Sequence, residues 1–105
     1  MRTFNIAGVQ FHQMKTIIND LNVGDELTLI PEPENPHDSN AVAIMCEGVM
    51  CGYVPGTLSA EISALVEAQG DNVTCIIQEL NPQLKPWEWC KVAVGTVDEF
   101  ESEEE

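Results

Sequence analysis

The sequence predicts a mainly β domain of α+β type, with about six strands forming a small barrel and one or two helices packed on it. Three observations predict it. Short apolar segments of strand length recur between clusters of Gly, Pro, Asn and Asp. Only one long stretch, from about Leu58 to Gln69, carries helical periodicity and a glycine stop. The 105 residues, 44% of them apolar, suffice for one compact core and leave no room for a second domain.

The elements follow in order. Thr3 to Val9 reads as a first strand, with Gly8 marking a bend. From His12 to Leu21, Met14, Ile17, Ile18 and Leu21 recur at spacings of three and four, so a turn or short helix covers a barrel opening. Glu26 to Ile30 is a second strand, stopped by Pro31 and Pro33. Residues 31–40 then form a structured loop. Ala41 to Cys46 and Val49 to Val54 make a hairpin around Glu47-Gly48, apolar enough to be covered on both faces. A two-residue loop pairs Cys46 with Val49 and Ile44 with Cys51. Thr57 or Ser59 caps the helix from about Leu58 to Gln69, whose stripe is Leu58, Ile62, Leu65 and Val66. Asn72 to Leu80 alternates as a half-buried strand. The last strand, Trp87 to Val97, sets Cys90, Val92 and Val94 against Trp87, Trp89, Lys91 and Ala93. The domain thus spans residues 1–97. The acidic tail, 98–105, is expected to be disordered.

Charge limits the function classes. Eighteen acids against four bases give a net charge of -14, and the bases Arg2, Lys15, Lys85 and Lys91 are scattered. Removing the tail still leaves twelve acids against those four bases, so acidity belongs to the domain itself. Nucleic-acid affinity comes largely from cations that neutralise phosphates. Tight, non-specific binding is therefore disfavoured, and any nucleic-acid contact should be local and weak. The N-terminal segment has no uninterrupted apolar run and no stretch reaches a membrane span, which predicts a cytoplasmic protein with no membrane partner.

The four cysteines, Cys46, Cys51, Cys75 and Cys90, sit in apolar strand-like surroundings and read as reduced core thiols. Cys46 and Cys51 are expected to be diagonal neighbours, roughly 7 to 8 Å apart at Cα, which is too far for easy bridging. Their spacing gives no convergent zinc set with His12 or His37, so neither metal nor cofactor is expected. No nucleophile-base pair, phosphate-cradling loop or carboxylate pair stands out. The expected class is a binding module, not an enzyme.

The order of four segments carries a more specific signal. They are Ala7-Gly8-Val9, Gly24-Asp25, the run from Glu32 through Asn35-Pro36-His37-Asp38 to Ala41-Val42, and Gly52-Tyr53-Val54-Pro55. Together they resemble the HIRAN family from about Phe4 to Val94. The resemblance implies a modified OB-like or SH3-like barrel and, in DNA-binding members, capture of a single-stranded end with a free 3′-hydroxyl. It implies that Phe11 stacks on the end, that Asn35, His37 and Asp38 line the terminal nucleotide, and that Tyr53 lies near the same pocket. Asp38 would accept a bond from a 3′-hydroxyl and repel a 3′-phosphate. Gln10 and Gly56 stand where DNA-binding relatives can carry arginine and lysine, so two phosphate-neutralising charges are missing.

Plainer readings stand beside these. Phe11 fits a barrel-edge core position as well as a stacking platform. Asn35 and Asp38 suit bonds within their own loop. Tyr53 fits as filler between hairpin and helix, and Trp87 and Trp89 as a buried layer as much as a stacking or partner-binding patch. Two functions therefore compete. One is recognition of a single-stranded DNA 3′ end in repair or processing. The other is an acidic interaction module or DNA mimic that meets a basic protein, such as a helicase or nuclease.

Overall fold

The computed structural model describes residues 1–102. Six antiparallel strands, β1 (Arg2–Asn5), β2 (Glu26–Pro31), β3 (Val42–Cys46), β4 (Val49–Tyr53), β5 (Val73–Leu80) and β6 (Cys90–Thr96), form one sheet in the order β1-β6-β5-β2-β3-β4. The two edges of that sheet meet. Just past β1, Ile6 N donates to Cys90 O of β6, while Ala7 and Tyr53 exchange backbone bonds of 2.8 and 2.9 Å. This curls the sheet into the expected barrel-like shell. Gly52 permits the closure, since a Cβ there would lie 2.6 Å from Ile6 Cγ2 and closer still to Ala7 O.

The core fills the shell. Phe4, Ile6, Val42, Ile44, Ile77, Val92 and Val94 are buried inside it, joined by Met14, Ile18 and Ile62. Val42, Ala43 and Ile44 are all buried, as are Val92, Ala93 and Val94, so both faces of β3 and β6 are covered. Helix α1 (Gly56–Gln69) supplies Ile62 and the partly buried Leu58, Leu65 and Val66 predicted for its stripe. It ends at Gly70, whose φ of 53° is readily adopted only without a side chain.

Several local expectations are corrected. The segment after β1 is no α-helix but three 3-10 turns, Val9–Phe11, Met14–Thr16 and Ile18–Asp20. Thr16 Oγ1 bonds to Gln13 O at 2.6 Å, Gln13 N donates to Met50 O of β4, and the β-branched Thr16, Ile17 and Ile18 resist continuous helix. The apolar spacing still serves the core. Neither Thr57 nor Ser59 caps α1, because Pro55 occupies the cap position and Ser59 lies inside the first turn. In the hairpin, Glu47 and Gly48 both take positive φ, as a tight primed turn requires, and Cys46 pairs with Val49. A bulge between Ile44 and Met45 then pairs Ile44 with Gly52 instead of Cys51. All four cysteines are free, and Cys51, Cys75 and Cys90 are buried.

The last strand begins at Cys90, three residues later than expected, because Pro86 opens a 3-10 turn over Pro86–Glu88. Trp87 and Trp89 therefore share no strand face with Lys91. Trp89 packs on the core and donates from Nε1 to Leu84 O at 2.8 Å, whereas Trp87 points outward. The expected disorder from Asp98 meets a different picture up to residue 102, where Val97–Ser102 form helix α2. Glu99 reaches back to the Thr96 N–H at 3.0 Å and its hydroxyl at 3.2 Å and also pairs with the Met1 amino group, closing the first turn as a capping box does. Residues 103–105 of the predicted tail lie outside the described residues.

Candidate functional site

The loop between β2 and β3 has no regular structure and is held by its own side chains. Asn35 Oδ1 accepts the backbone N–H of His37 at 2.8 Å and of Asp38 at 3.2 Å, while Asn35 Nδ2 donates to Glu32 Oε1 at 3.0 Å. Asp38 Oδ1 accepts the Asn40 N–H at 2.8 Å. These are the side-chain turns that asparagine and aspartate favour.

Two further bonds tie the loop to the barrel. The Tyr53 hydroxyl donates to the same Glu32 Oε1 at 2.7 Å, and Ser59 Oγ of α1 donates to Asp38 Oδ2 at 2.8 Å. Ser59 is 3% exposed and is the buried polar residue of the described chain. The Glu32 carboxylate at its hydroxyl, with some burial, raises the Tyr53 pKa above its ordinary value and keeps the phenol protonated.

The loop thus becomes one wall of a cavity of about 350 Å³. Its floor is apolar, formed by Ala7, Ala41 and Val54 with the backbone of Gly8 and Gly56, and Asn35, His37, Asp38 and Tyr53 supply the polar groups. A second concavity, which includes Glu32, Pro33 and Pro36, shares Asn35 and Tyr53 with the first. An apolar pocket with a few converging polar groups is the usual form of a small-ligand site. Among the described residues, neither lysine nor arginine lines the cavity.

The six residues expected at the site divide accordingly. Asn35, His37, Asp38 and Tyr53 come together, whereas Gln10 and Phe11 lie outside the lining on the turn that follows Gly8. Phe11 is 79% exposed, which removes the core reading of this ring. Its N–H donates to Gly8 O at 3.0 Å, so the ring stands one tight turn from the cavity rim. Tyr53 does more than fill space, since it bonds to Glu32, and the His12 ring lies 5.6 Å from it, tilted by 60°.

Sequence reasoning missed Glu32 and Ser59. Glu32 belonged to the quoted motif run, and its position three residues before Asn35 was the available signal. Ser59 had no such signal, because its partner Asp38 is 21 positions away. Among the described residues no group of three His, Cys, Asp or Glu residues is arranged to hold a metal ion, and no helix is long and apolar enough to cross a membrane.

A curled six-stranded antiparallel sheet, one main helix and a cavity walled by a self-bonded loop define a small barrel-type domain. The chain belongs to the HIRAN domain family, whose profile matches residues 2–96, and that family is known to bind nucleic acid. Its fold is similar to a crystal structure of a protein from Lactobacillus plantarum, with a TM-score of 0.76 at 20% identity over 90% of this chain and 89% of that one. It is also similar to the HIRAN domain of human HLTF, with a TM-score of 0.62 at 12% identity over 96% of this chain and 80% of that one. No curated protein matches the chain in sequence.

Proposed function

We propose that this chain binds the 3′ end of single-stranded DNA, serves DNA repair or processing in the cytoplasm, and carries out no catalysis itself. One observation carries the reading: four of the expected residues wall a single cavity, and an outward aromatic ring stands one turn from its rim. The terminal nucleoside enters the apolar floor and Phe11 stacks on a base, a contact that contributes about 1 to 3 kcal/mol in other single-strand binders.

Asp38 supplies the end selectivity. Each of its oxygens already accepts one hydrogen bond, but an ionised carboxylate offers about four acceptor positions, which leaves capacity for a 3′-hydroxyl. A 3′-phosphate at the same place meets like charge. Bonds that shape the loop also preorganise the acceptor, so the structural and binding roles of Asp38 support one another. The test is a titration of labelled single strands ending in 3′-hydroxyl or 3′-phosphate at low salt, followed by anisotropy. Tighter binding of the hydroxyl end is expected, and equal affinity for both ends would refute the end-recognition reading.

A second reading is favoured by the missing cations. With a net charge of -14 and neither lysine nor arginine lining the cavity among the described residues, the domain suits a basic protein surface, such as that of a helicase or nuclease. Salt-sensitive binding of a defined basic peptide, with no oligonucleotide binding even at low salt, would select this reading.

A further inference from the structure

The chain has two histidines, and the fold brings both to the same place. His37 lines the cavity. His12 closes the Val9–Phe11 turn, donating its N–H to Val9 O at 3.2 Å, and its ring stands against that of Tyr53 in the cavity wall. It also reaches the rim, because a Cβ on Gly8 would lie 3.9 Å from His12 Cδ2.

Fixed cations are placed elsewhere. Arg2 is tied to Glu61 through two guanidinium nitrogens, Lys91 lies 3.5 Å from Glu79, and among the described residues neither lysine nor arginine lines the cavity. The terminal nucleotide of a strand nevertheless carries a phosphate on its 5′ side, and phosphate contacts supply much of the affinity in nucleic-acid binding. Imidazole can meet that need conditionally. It is the side chain whose charge ordinarily changes between about pH 5 and 8, and its protonated form donates from both ring nitrogens.

We propose that His12 and His37, as imidazolium ions, are the phosphate-binding cations of this site, so that strand binding takes up protons and is governed by pH. This rests on the reading of the cavity as a strand-end site and adds its regulation. His37 serves the phosphate of the nucleotide inside the cavity, and His12 serves the next phosphate along the strand, at the rim. Linkage runs both ways: protons raise affinity for the strand, and the strand raises affinity for protons. A conditional charge thereby replaces the fixed ones that Gln10 and Gly56 do not provide. The other ionisable groups facing the pair are Asp38 beside His37, Tyr53 of β4 with Glu32 at its hydroxyl, Lys15 of the Met14–Thr16 turn, and Glu88 of the Pro86–Glu88 turn, which packs on Val9–Phe11. Substitution of the two histidines separates their effect from that of these groups.

The test measures binding of a short 5′-labelled oligothymidylate ending in 3′-hydroxyl, between about pH 5.5 and about pH 8 and at several salt concentrations. Wild type, His12→Gln, His37→Gln and the double variant are compared, with thermal unfolding at each pH as the fold control. At 50 mM salt, wild type should bind about 60-fold more tightly at the acid end, roughly eightfold for each imidazolium, and its log-log salt slope should be steeper there by about 1.4. Each single variant should lose about 0.7 of that slope change, and the double variant should bind with little dependence on pH. The imidazole C–H resonances of wild type give a readout that needs no variant: their titration midpoints should move to higher pH when the oligothymidylate is bound. If wild type prefers the hydroxyl end but its affinity and salt slope do not change with pH, or the double variant keeps the wild-type pH dependence, the imidazolium contacts are refuted and end recognition stands. If wild type binds no strand even at the acid end, both fail.

Discussion

Asn35 accepts two backbone N–H groups through one oxygen, and Asp38 accepts one bond through each of its two. Replacing either residue therefore alters shape as well as chemistry, and the two effects must be separated. Ser59→Ala removes the hydroxyl that holds Asp38 Oδ2 without touching the cavity. It should cost about 1 kcal/mol in urea unfolding and weaken end discrimination only partly. Asp38→Ala should abolish that discrimination and cost about 1 to 3 kcal/mol, because backbone and side-chain donors lose their acceptor. A variant that still distinguishes 3′-hydroxyl from 3′-phosphate would remove Asp38 from its role. The thiols give an independent check on burial. Burial pushes Cys51 up to about 11 and Cys90 up to about 12, and Cys75 is raised as well. Iodoacetamide should therefore label Cys46 in the native protein and reach the other three only after unfolding, as mass spectrometry would show.

Closure of the barrel is a property of elements, and Gly52 is where it is most exposed to substitution. Gly52→Ala forces β4 away from the Ile6-Ala7 segment and should destabilise the fold by about 1 to 3 kcal/mol, measured by thermal unfolding. It should also weaken end binding, since Ala7 and Tyr53 line the cavity. Much of this level was legible in the sequence. Alternation and turn residues located six strands, and the stripe from Leu58 to Val66 located the main helix, because those signals are local. The motif loop was legible too, since asparagine and aspartate bond within their own turns. Other features depended on distant partners. The bulge pairs Ile44 with Gly52, which Ile6 and Ala7 approach closely, and the Ser59–Asp38 bond spans 21 positions. Helix α2 was different: Thr96-Val97-Asp98-Glu99 is a capping-box sequence, and the density of acidic charge obscured it. Alternation continues in the sequence through Trp87 and Trp89, but Pro86 begins a turn there.

For the molecule as a whole, a net charge of -14 sets two trends that run in opposite directions with salt. Added salt screens self-repulsion and should raise the unfolding midpoint, while it lowers affinity for a single strand. Loss of affinity with rising salt accompanied by loss of stability would contradict this account of the charge. Alkali should act through the buried thiols. Their ordinary pKa is 9.0 and the fold raises it, so above pH 9 the unfolded chain ionises where the native protein does not. That part of the stability is fully present below pH 9 and declines as pH rises toward about 11 and 12. Tyr53 adds to the decline at higher pH for the same reason. Urea midpoints at a series of pH values would record it. The central claim is that the loop, the cavity and the neighbouring Phe11 turn form one surface for a strand end. Backbone amide chemical shifts, followed while a short 3′-hydroxyl oligonucleotide is added at low salt, test it most directly. The account predicts perturbations grouped at residues 7–12, 35–41 and 53–59. Shifts confined to other faces of the barrel, or none at all, would contradict it.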